Sequence, residues 1–176
     1  MPRDRNAPRV TGQIRQWPAT VVKLRAMTFR TESRIAIAGT VPEVWAYVCD
    51  VGRWQEWAPT VIECRVRGGG PLQPGSRLDQ RAKGVLGTSR SRSQEVTTVE
   101  ELRRVAFAGP LGTSTARWGM ELEPLGDGTD AMMWIEVDLA GPMRAIPSSM
   151  LRGRIQRVSD LEMTLIKAAV ESGSAP

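Results

Sequence analysis

The spacing of apolar residues along the chain switches between the strand period of two and the helical period of 3.6. Alternating isoleucines predict a first strand at residues 34–38. Apolar residues between positions 41 and 48 then recur at i, i+3, i+4 and i+7, which predicts a short helix with Thr40 as its N-cap. A second short helical turn carries Trp54 and Trp57.

From residue 61 the apolar positions alternate with a period of two as far as residue 139. Glycine and proline clusters divide this region into six predicted strands, at residues 61–67, 77–85, 90–99, 103–108, 115–123 and 131–139. Their short connections favour antiparallel pairing. A long amphipathic helix is predicted from Ser148 to Glu171, and the concave face of a sheet is the surface that it requires. We therefore predict an α+β fold, with a seven-stranded curved antiparallel sheet wrapped around the C-terminal helix and two short helices after the first strand.

The positive charge of the chain is concentrated at its start. Residues 1–30 contain seven Arg or Lys and one acid, whereas the other 146 residues contain 17 basic and 18 acidic groups. A nearly neutral body argues against a nucleic-acid-binding domain and leaves the basic head as the candidate for such contacts. We expect a disordered head at residues 1–28, one domain at residues 29–172 and a tail at residues 173–176; a translation start at Met27 instead of Met1 stays open.

The residue types in the chain limit its chemistry. There is no histidine, which excludes a Ser-His-Asp triad, and Cys49 and Cys64 alone do not build a usual zinc site. We expect two free thiols rather than a disulfide, no metal and no cofactor. The charged start has no signal-peptide pattern, and no apolar run reaches the roughly 18 residues of a membrane span. These features predict a cytoplasmic protein whose membrane contact is at most transient.

One stretch of sequence carries a family resemblance. In residues 35–61 a strand leads into a Pro-Glu-x-Val-Trp helix, an Asp and a Trp-x-Pro sequence, here Pro42, Glu43, Val44, Trp45, Asp50, Trp57 and Pro59. This resembles the opening of START-like (SRPBCC) proteins of the polyketide cyclase/dehydrase and lipid transport type. The resemblance implies a helix-grip fold with a deep, mostly apolar cavity between sheet and long helix, a cavity that the superfamily uses for lipids, sterols, quinones, plant hormones or polyketides. It transfers no catalytic residue to this chain.

Strand parity predicts which side chains face that cavity, because successive residues of a strand point to opposite faces. Most of the inward-facing set is apolar, and Gln80 is a polar group in its wall. The predicted ligand-binding residues are Trp57, Leu78, Gln80, Phe107, Trp118, Met120, Met133, Ile135, Met150 and Ile155.

Arg92 is the ambiguous position. If Val96 marks the inner face of its strand, Arg92 points into the cavity, where an arginine without a carboxylate partner implies a bound anion, carboxylate or enolate. The alternative, which we favour, is a bulge or edge twist that turns the arginines into water. Arg92, Tyr47 and Asp50 are the weak candidates for acid–base chemistry.

Three functions remain open at this point. The favoured one is binding or transport of a lipid, polyketide or quinone-like molecule without catalysis. The second is a cyclase, aromatase or dehydratase that uses the same cavity without metal or histidine. The third is a regulatory or toxin-like protein that acts through its basic head on a membrane or on nucleic acid. Two or more convergent polar groups in the cavity would favour an enzyme.

Overall fold

Every strand of the described chain belongs to one antiparallel sheet, which is open and curved. The computed structural model describes residues 27–83 and 89–173. The strands are β1 (Met27–Ile37), β2 (Val61–Val66), β3 (Arg77–Lys83), β4 (Ser89–Glu100), β5 (Arg104–Leu111), β6 (Ser114–Leu125) and β7 (Gly128–Leu139), in the spatial order β1-β7-β6-β5-β4-β3-β2. The helices are α1 (Val41–Cys49), α2 (Trp54–Trp57) and α3 (Ser148–Glu171), with 3₁₀ turns at Val51–Arg53 and Gly141–Ala145. The predicted α+β helix-grip fold is confirmed.

The first strand is longer than the sequence predicted. β1 begins at Met27 and pairs with β7 along its whole length, from Met27 opposite Leu139 to Ile37 opposite Thr129. The inward positions of this extension include Thr31 and Ser33, which are buried but polar. The sequence of the extension therefore lacks the alternation of apolar and polar residues that predicts a strand. β1 thus includes Met27 and Thr28, the last two residues of the expected head. Residues 1–26, 84–88 and 174–176 lie outside the described residues, so the disordered head and the tail remain predictions.

The first helix is fixed at its start by a capping box. The Glu43 carboxylate accepts hydrogen bonds from the Thr40 backbone N–H at 2.7 Å and from the Thr40 hydroxyl at 2.9 Å, which satisfies donors that the helix itself leaves unpaired. The face that includes Val44 and Val48 is buried in the main core. This anchored helix leads directly into α2 and its tryptophans.

Polar contacts hold α3 along the edge strand β1. The Ser33 hydroxyl donates to Asp160 at 2.6 Å, and the Lys167 ammonium donates to the Ala36 carbonyl at 2.6 Å. The C-terminal half of α3 buries Met163, Ile166 and Val170 in the main core. In its N-terminal half, Leu151, Ile155 and Val158 face a cavity instead. Because α3 lies along β1, the N-terminal half of the helix leaves a cavity over the concave face of the neighbouring strands.

Trp134 departs from the exposure that strand parity suggested. Alternation along β7 places Trp134 on the outer face of the sheet, yet it is only 6% exposed. The guanidinium groups of Arg30 and Arg104 lie 4.8 and 5.7 Å from its ring centroid, which accounts for the burial on the outer face. A Cβ at Gly119 would lie 2.9 Å from this ring, so the close approach of the indole requires glycine there.

Within the described residues, the structure also bears on the cysteines and on membrane spans. Cys49 and Cys64 are both free thiols. Among the helices described, none is long and apolar enough to cross a membrane.

Candidate ligand-binding cavity

A cavity of about 610 Å³ lies between the concave face of the sheet and α3. Its walls come from α2, from strands β2 to β7, from the 3₁₀ turn at Gly141–Ala145 and from the N-terminal half of α3. Six of the predicted ligand-binding residues line it, namely Trp57, Gln80, Trp118, Met133, Ile135 and Ile155. Their contact with a ligand remains a prediction, but the fold brings all six to the lining of one cavity.

The other four predicted residues lie outside this wall. Leu78 and Met120 point inward but are buried in the main core, and Phe107 is buried beneath Trp118, with ring centroids 4.3 Å apart. Parity identifies the face of a strand and not the depth at which a residue sits, which explains these three differences. Met150 is 62% exposed, because it lies on the side of α3 that faces away from the sheet.

An aromatic cluster forms one end of the cavity. The Trp54 ring makes edge contacts with Phe107 and Trp118, each with a centroid separation of 5.2 Å, and its Nε1–H donates to the Val48 carbonyl at 2.9 Å. The buried Trp57 Nε1–H has no hydrogen-bond partner among the described residues. This cluster gives the apolar end of the cavity rigid walls.

Arg92 faces the cavity, contrary to the interpretation that we favoured from the sequence. The inward positions of β4 run from Arg90 through Arg92 and Gln94 to Val96 without interruption. The irregularity in β4 pairing with β5 comes between Val96 and Thr98, beyond the arginines, so it does not turn them outward. Burial lowers the pKa of the Arg92 guanidinium, which nevertheless remains charged at neutral pH.

Arg92 belongs to a chain of hydrogen bonds across the cavity wall. The Gln80 side-chain oxygen accepts from Arg92 Nε and, at 2.6 Å, from Gln94 Nε2. The Gln94 oxygen in turn accepts from Trp118 Nε1 at 2.8 Å. These bonds engage Nε alone of the Arg92 guanidinium; among the described residues, its two terminal nitrogens have no hydrogen-bond partner. Arg92 is thus held in place with donors left over for a ligand.

Glu162 is the cavity residue that sequence reasoning missed. It lines the cavity from α3, and burial raises the pKa of its carboxyl group to about 7, while the nearby charge of Arg92 acts in the opposite direction. Among the described residues it has no hydrogen-bond or ion-pair partner. A signal was present in the sequence, because Glu162 continues the apolar stripe of Leu151, Ile155 and Val158 with helical spacing.

The other two weak acid–base candidates do not line the cavity. Tyr47 is fully buried and donates to Glu56 at 3.2 Å; burial first, and then the Glu56 charge, raises the pKa of its hydroxyl to about 12. Asp50 accepts a hydrogen bond from the Gly52 backbone N–H at 3.1 Å, at the end of α1. Both side chains have structural partners. No cluster suited to a metal ion occurs within residues 27–83 and 89–173.

The raised pKa of Glu162 predicts a measurable dependence of stability on pH. The stability that this group provides is complete below its ordinary pKa of 4.5 and is lost as the pH rises through about 7, because the folded protein holds the proton more tightly. Relative to Glu162→Gln, the unmodified protein should lose about 1–3 kcal/mol of unfolding free energy over this interval. Urea titrations at several pH values measure it, with the exposed Glu123→Gln as the control. Parallel curves for the unmodified protein and Glu162→Gln would show that the carboxyl group is well solvated.

The sequence matches a known protein family over most of its length. A family model described as polyketide cyclase/dehydrase and lipid transport matches residues 28–171. The chain belongs to this family. The match spans β1 through α3 and so includes the whole cavity wall. The predicted START-like resemblance is thereby confirmed.

Several solved structures share the fold at low sequence identity. A START superfamily protein from Mycobacterium smegmatis is 17% identical, with a TM-score of 0.65, over 81% of this chain and 97% of its own. A protein from Thermus thermophilus is 16% identical, with a TM-score of 0.66, over 84% of this chain and 100% of its own. The di-domain ARO/CYC protein StfQ from the steffimycin biosynthetic pathway is 16% identical, with a TM-score of 0.65, over 84% of this chain and 52% of its own. Comparison with curated protein sequences found no match.

Proposed function

We propose that the protein binds a small, mainly apolar molecule, such as a lipid, polyketide or quinone-like compound, whose polar group lies between Arg92 and Glu162. The cavity volume of about 610 Å³ falls within the range of roughly 300–1,000 Å³ that is usual for small-molecule sites. Met133, Ile135 and Ile155 supply apolar walls, and burial of the ligand against them drives binding. The predicted cytoplasmic location belongs to the same proposal.

The observation that carries this proposal is the partly used guanidinium of Arg92 at the cavity wall. Its Nε is bound to Gln80, so the plane of the group is fixed, while its terminal nitrogens offer donors to whatever occupies the cavity. A fixed fork of charged donors favours a carboxylate, an enolate or a carbonyl oxygen. The ligand therefore has an apolar body and at least one oxygen acceptor.

Replacing Arg92 with methionine tests this assignment, since it keeps an unbranched apolar stem and removes the charge. Loss of a charged hydrogen bond costs about 1.5–3 kcal/mol, so binding of a fatty acid should weaken by roughly 10- to 100-fold. Binding of its methyl ester should change much less. Quenching of tryptophan fluorescence measures both affinities, because Trp54, Trp57 and Trp118 lie at the cavity.

The matched control is Arg103→Met, since the Arg103 side chain is 79% exposed in the turn before β5 and lies outside the cavity. It should leave both affinities unchanged. An equal response of the acid and the ester to Arg92→Met would remove the argument that Arg92 recognises the polar group.

A second candidate function is proton transfer at a carbonyl substrate, as a cyclase or dehydratase of this family would require. The pair formed by Arg92 and Glu162 favours it, because the two groups converge on one cavity. Ionised Glu162 can take a proton from the carbon next to a carbonyl group; the C–H electron pair then forms a C=C bond, and the carbonyl oxygen becomes an enolate beside Arg92. Charge on this oxygen is stabilised by the guanidinium.

A further inference from the structure

The outer surface of α3 contains an exposed stripe of four residues, of which only Arg154 also lines the cavity. Met150, Arg154, Arg157 and Leu161 recur at i, i+4, i+7 and i+11 and are all exposed, Met150 by 62% and Leu161 by 48%. We call these four residues the outer stripe. Arg154 and Arg157 form no ion pair with another described residue. The stripe therefore presents apolar side chains at its ends and two unneutralised arginines between them.

The outer stripe adjoins the rim of the cavity. Arg154 belongs to both, and the exposed Pro110 and Gly112 at the tip between β5 and β6 complete this side of the rim. The half-buried Met143 and Ile146 also line the cavity here. An apolar molecule that enters or leaves at this rim therefore passes close to the outer stripe.

Positive charge accumulates at the same end of the molecule. Residues 140–159 contain four arginines and no acid; of the two acids that follow, Asp160 accepts hydrogen bonds from Ser33 and Gln156, and Glu162 lines the cavity. Exposed apolar residues interspersed with arginines suit the interface of an anionic lipid bilayer, where the arginines meet the headgroups and the apolar side chains enter the boundary region.

We propose that the outer stripe docks on an anionic lipid bilayer and places the cavity rim against the membrane surface. The apolar part of a ligand can then move between bilayer and cavity with little exposure to water, which disfavours apolar surface. The transfer role rests on the proposed ligand-binding function, whereas docking does not. Contact of this kind is peripheral, and salt should weaken it by screening the charges.

Flotation of the full chain with vesicles tests the proposal. We expect binding to vesicles of phosphatidylcholine mixed with phosphatidylglycerol, little binding to phosphatidylcholine alone, and release at high salt. The double variant Met150→Gln/Arg157→Gln changes two residues of the stripe that do not line the cavity. One arginine near an anionic surface contributes about a factor of five to partitioning, so the variant should partition at least about fivefold less.

The matched control is Leu125→Gln/Arg103→Gln, which makes the same kinds of change at the opposite end of the sheet, where β5 begins and β6 ends. Leu125 is 53% exposed, and the control should partition like the unmodified protein. Equal losses in both variants, or unchanged binding of the stripe variant through the basic head alone, would overturn the proposal. The proposal would also be overturned if the unmodified protein does not bind vesicles but sediments as a dimer, and the stripe variant sediments as a monomer. That result would show that the stripe joins two copies of the chain. Fluorescence titration with a fatty acid in the absence of vesicles tests ligand binding separately.

Discussion

Replacing Trp54 with alanine is expected to lower the free energy of unfolding by about 3–5 kcal/mol. The Trp54 side chain is 1% exposed, and it is the residue that connects α2 to the aromatic cluster of Phe107 and Trp118. The substitution also removes the indole N–H that donates a hydrogen bond to the Val48 carbonyl. Urea unfolding followed by circular dichroism measures this loss.

Trp118→Ala provides the comparison for this prediction. Both tryptophans border the cavity, but Trp54 is 1% exposed whereas Trp118 is only half-buried, so truncation of Trp118 removes fewer packing contacts and mainly widens the existing space. We expect a smaller loss of stability than for Trp54→Ala, together with weaker ligand binding, because Gln94 loses its indole partner and the cavity loses an apolar wall. A larger stability loss for Trp118→Ala would mean that Trp118, and not Trp54, is the central residue of the cluster.

The fold could be predicted from the sequence because its signals are local and repeated. The helix predicted at Ser148–Glu171 has these bounds in the structure, and the period-two region from residue 61 contains six strands. The errors occur where local signals mislead. The extension of β1 contains buried Thr31 and Ser33, and only pairing with β7 identifies it as a strand. Trp134 is buried by arginines that come from other strands.

The site was harder to predict, because it depends on contacts between distant segments. Parity gave two orientations for Arg92, and the choice depended on where β4 becomes irregular, which pairing with β5 determines. We expected an inward Arg92 without a carboxylate partner to imply a bound anion, whereas the structure supplies Gln80 as a bonded partner and Glu162 as a nearby charge. Depth within the fold was equally invisible, since Leu78 and Gln80 have the same parity but only Gln80 lines the cavity.

The chemical content of the cavity bears on the choice between carrier and enzyme. Gln80, Gln94 and Trp118 are engaged with one another or with Arg92, so their contribution is to hold Arg92 in place. Glu162 has no such constraint among the described residues, and its pKa of about 7 allows both protonation states near neutral pH. A positioned cation and a titratable carboxyl group are the parts that proton transfer requires, so catalysis depends on whether Glu162 takes part.

Glu162→Gln is expected to slow proton exchange at a bound carbonyl compound by about 10²- to 10⁴-fold. The probe is 1-tetralone, an apolar ketone, and the measured quantity is the rate at which deuterium from D₂O replaces the hydrogen on the carbon next to its carbonyl group. Ionised Glu162 removes this proton, so the rate for the unmodified protein should rise with pH through about 7, the value to which burial raises the pKa of this carboxyl group. The rate for Glu162→Gln should not follow that profile.

Three further measurements make this expectation decisive. Arg92→Met should also slow the exchange, because the enolate loses its cation, while the exposed Glu123→Gln should leave it unchanged. Tryptophan quenching shows that each variant still binds the ketone, which separates a lost proton acceptor from a lost binding site. If the unmodified protein binds 1-tetralone but exchanges its protons no faster than Glu162→Gln does, Glu162 is not the base. In that case the cavity binds its ligand without proton transfer, and the carrier function alone stands, since binding needs Arg92 and the apolar walls but no ionised carboxylate.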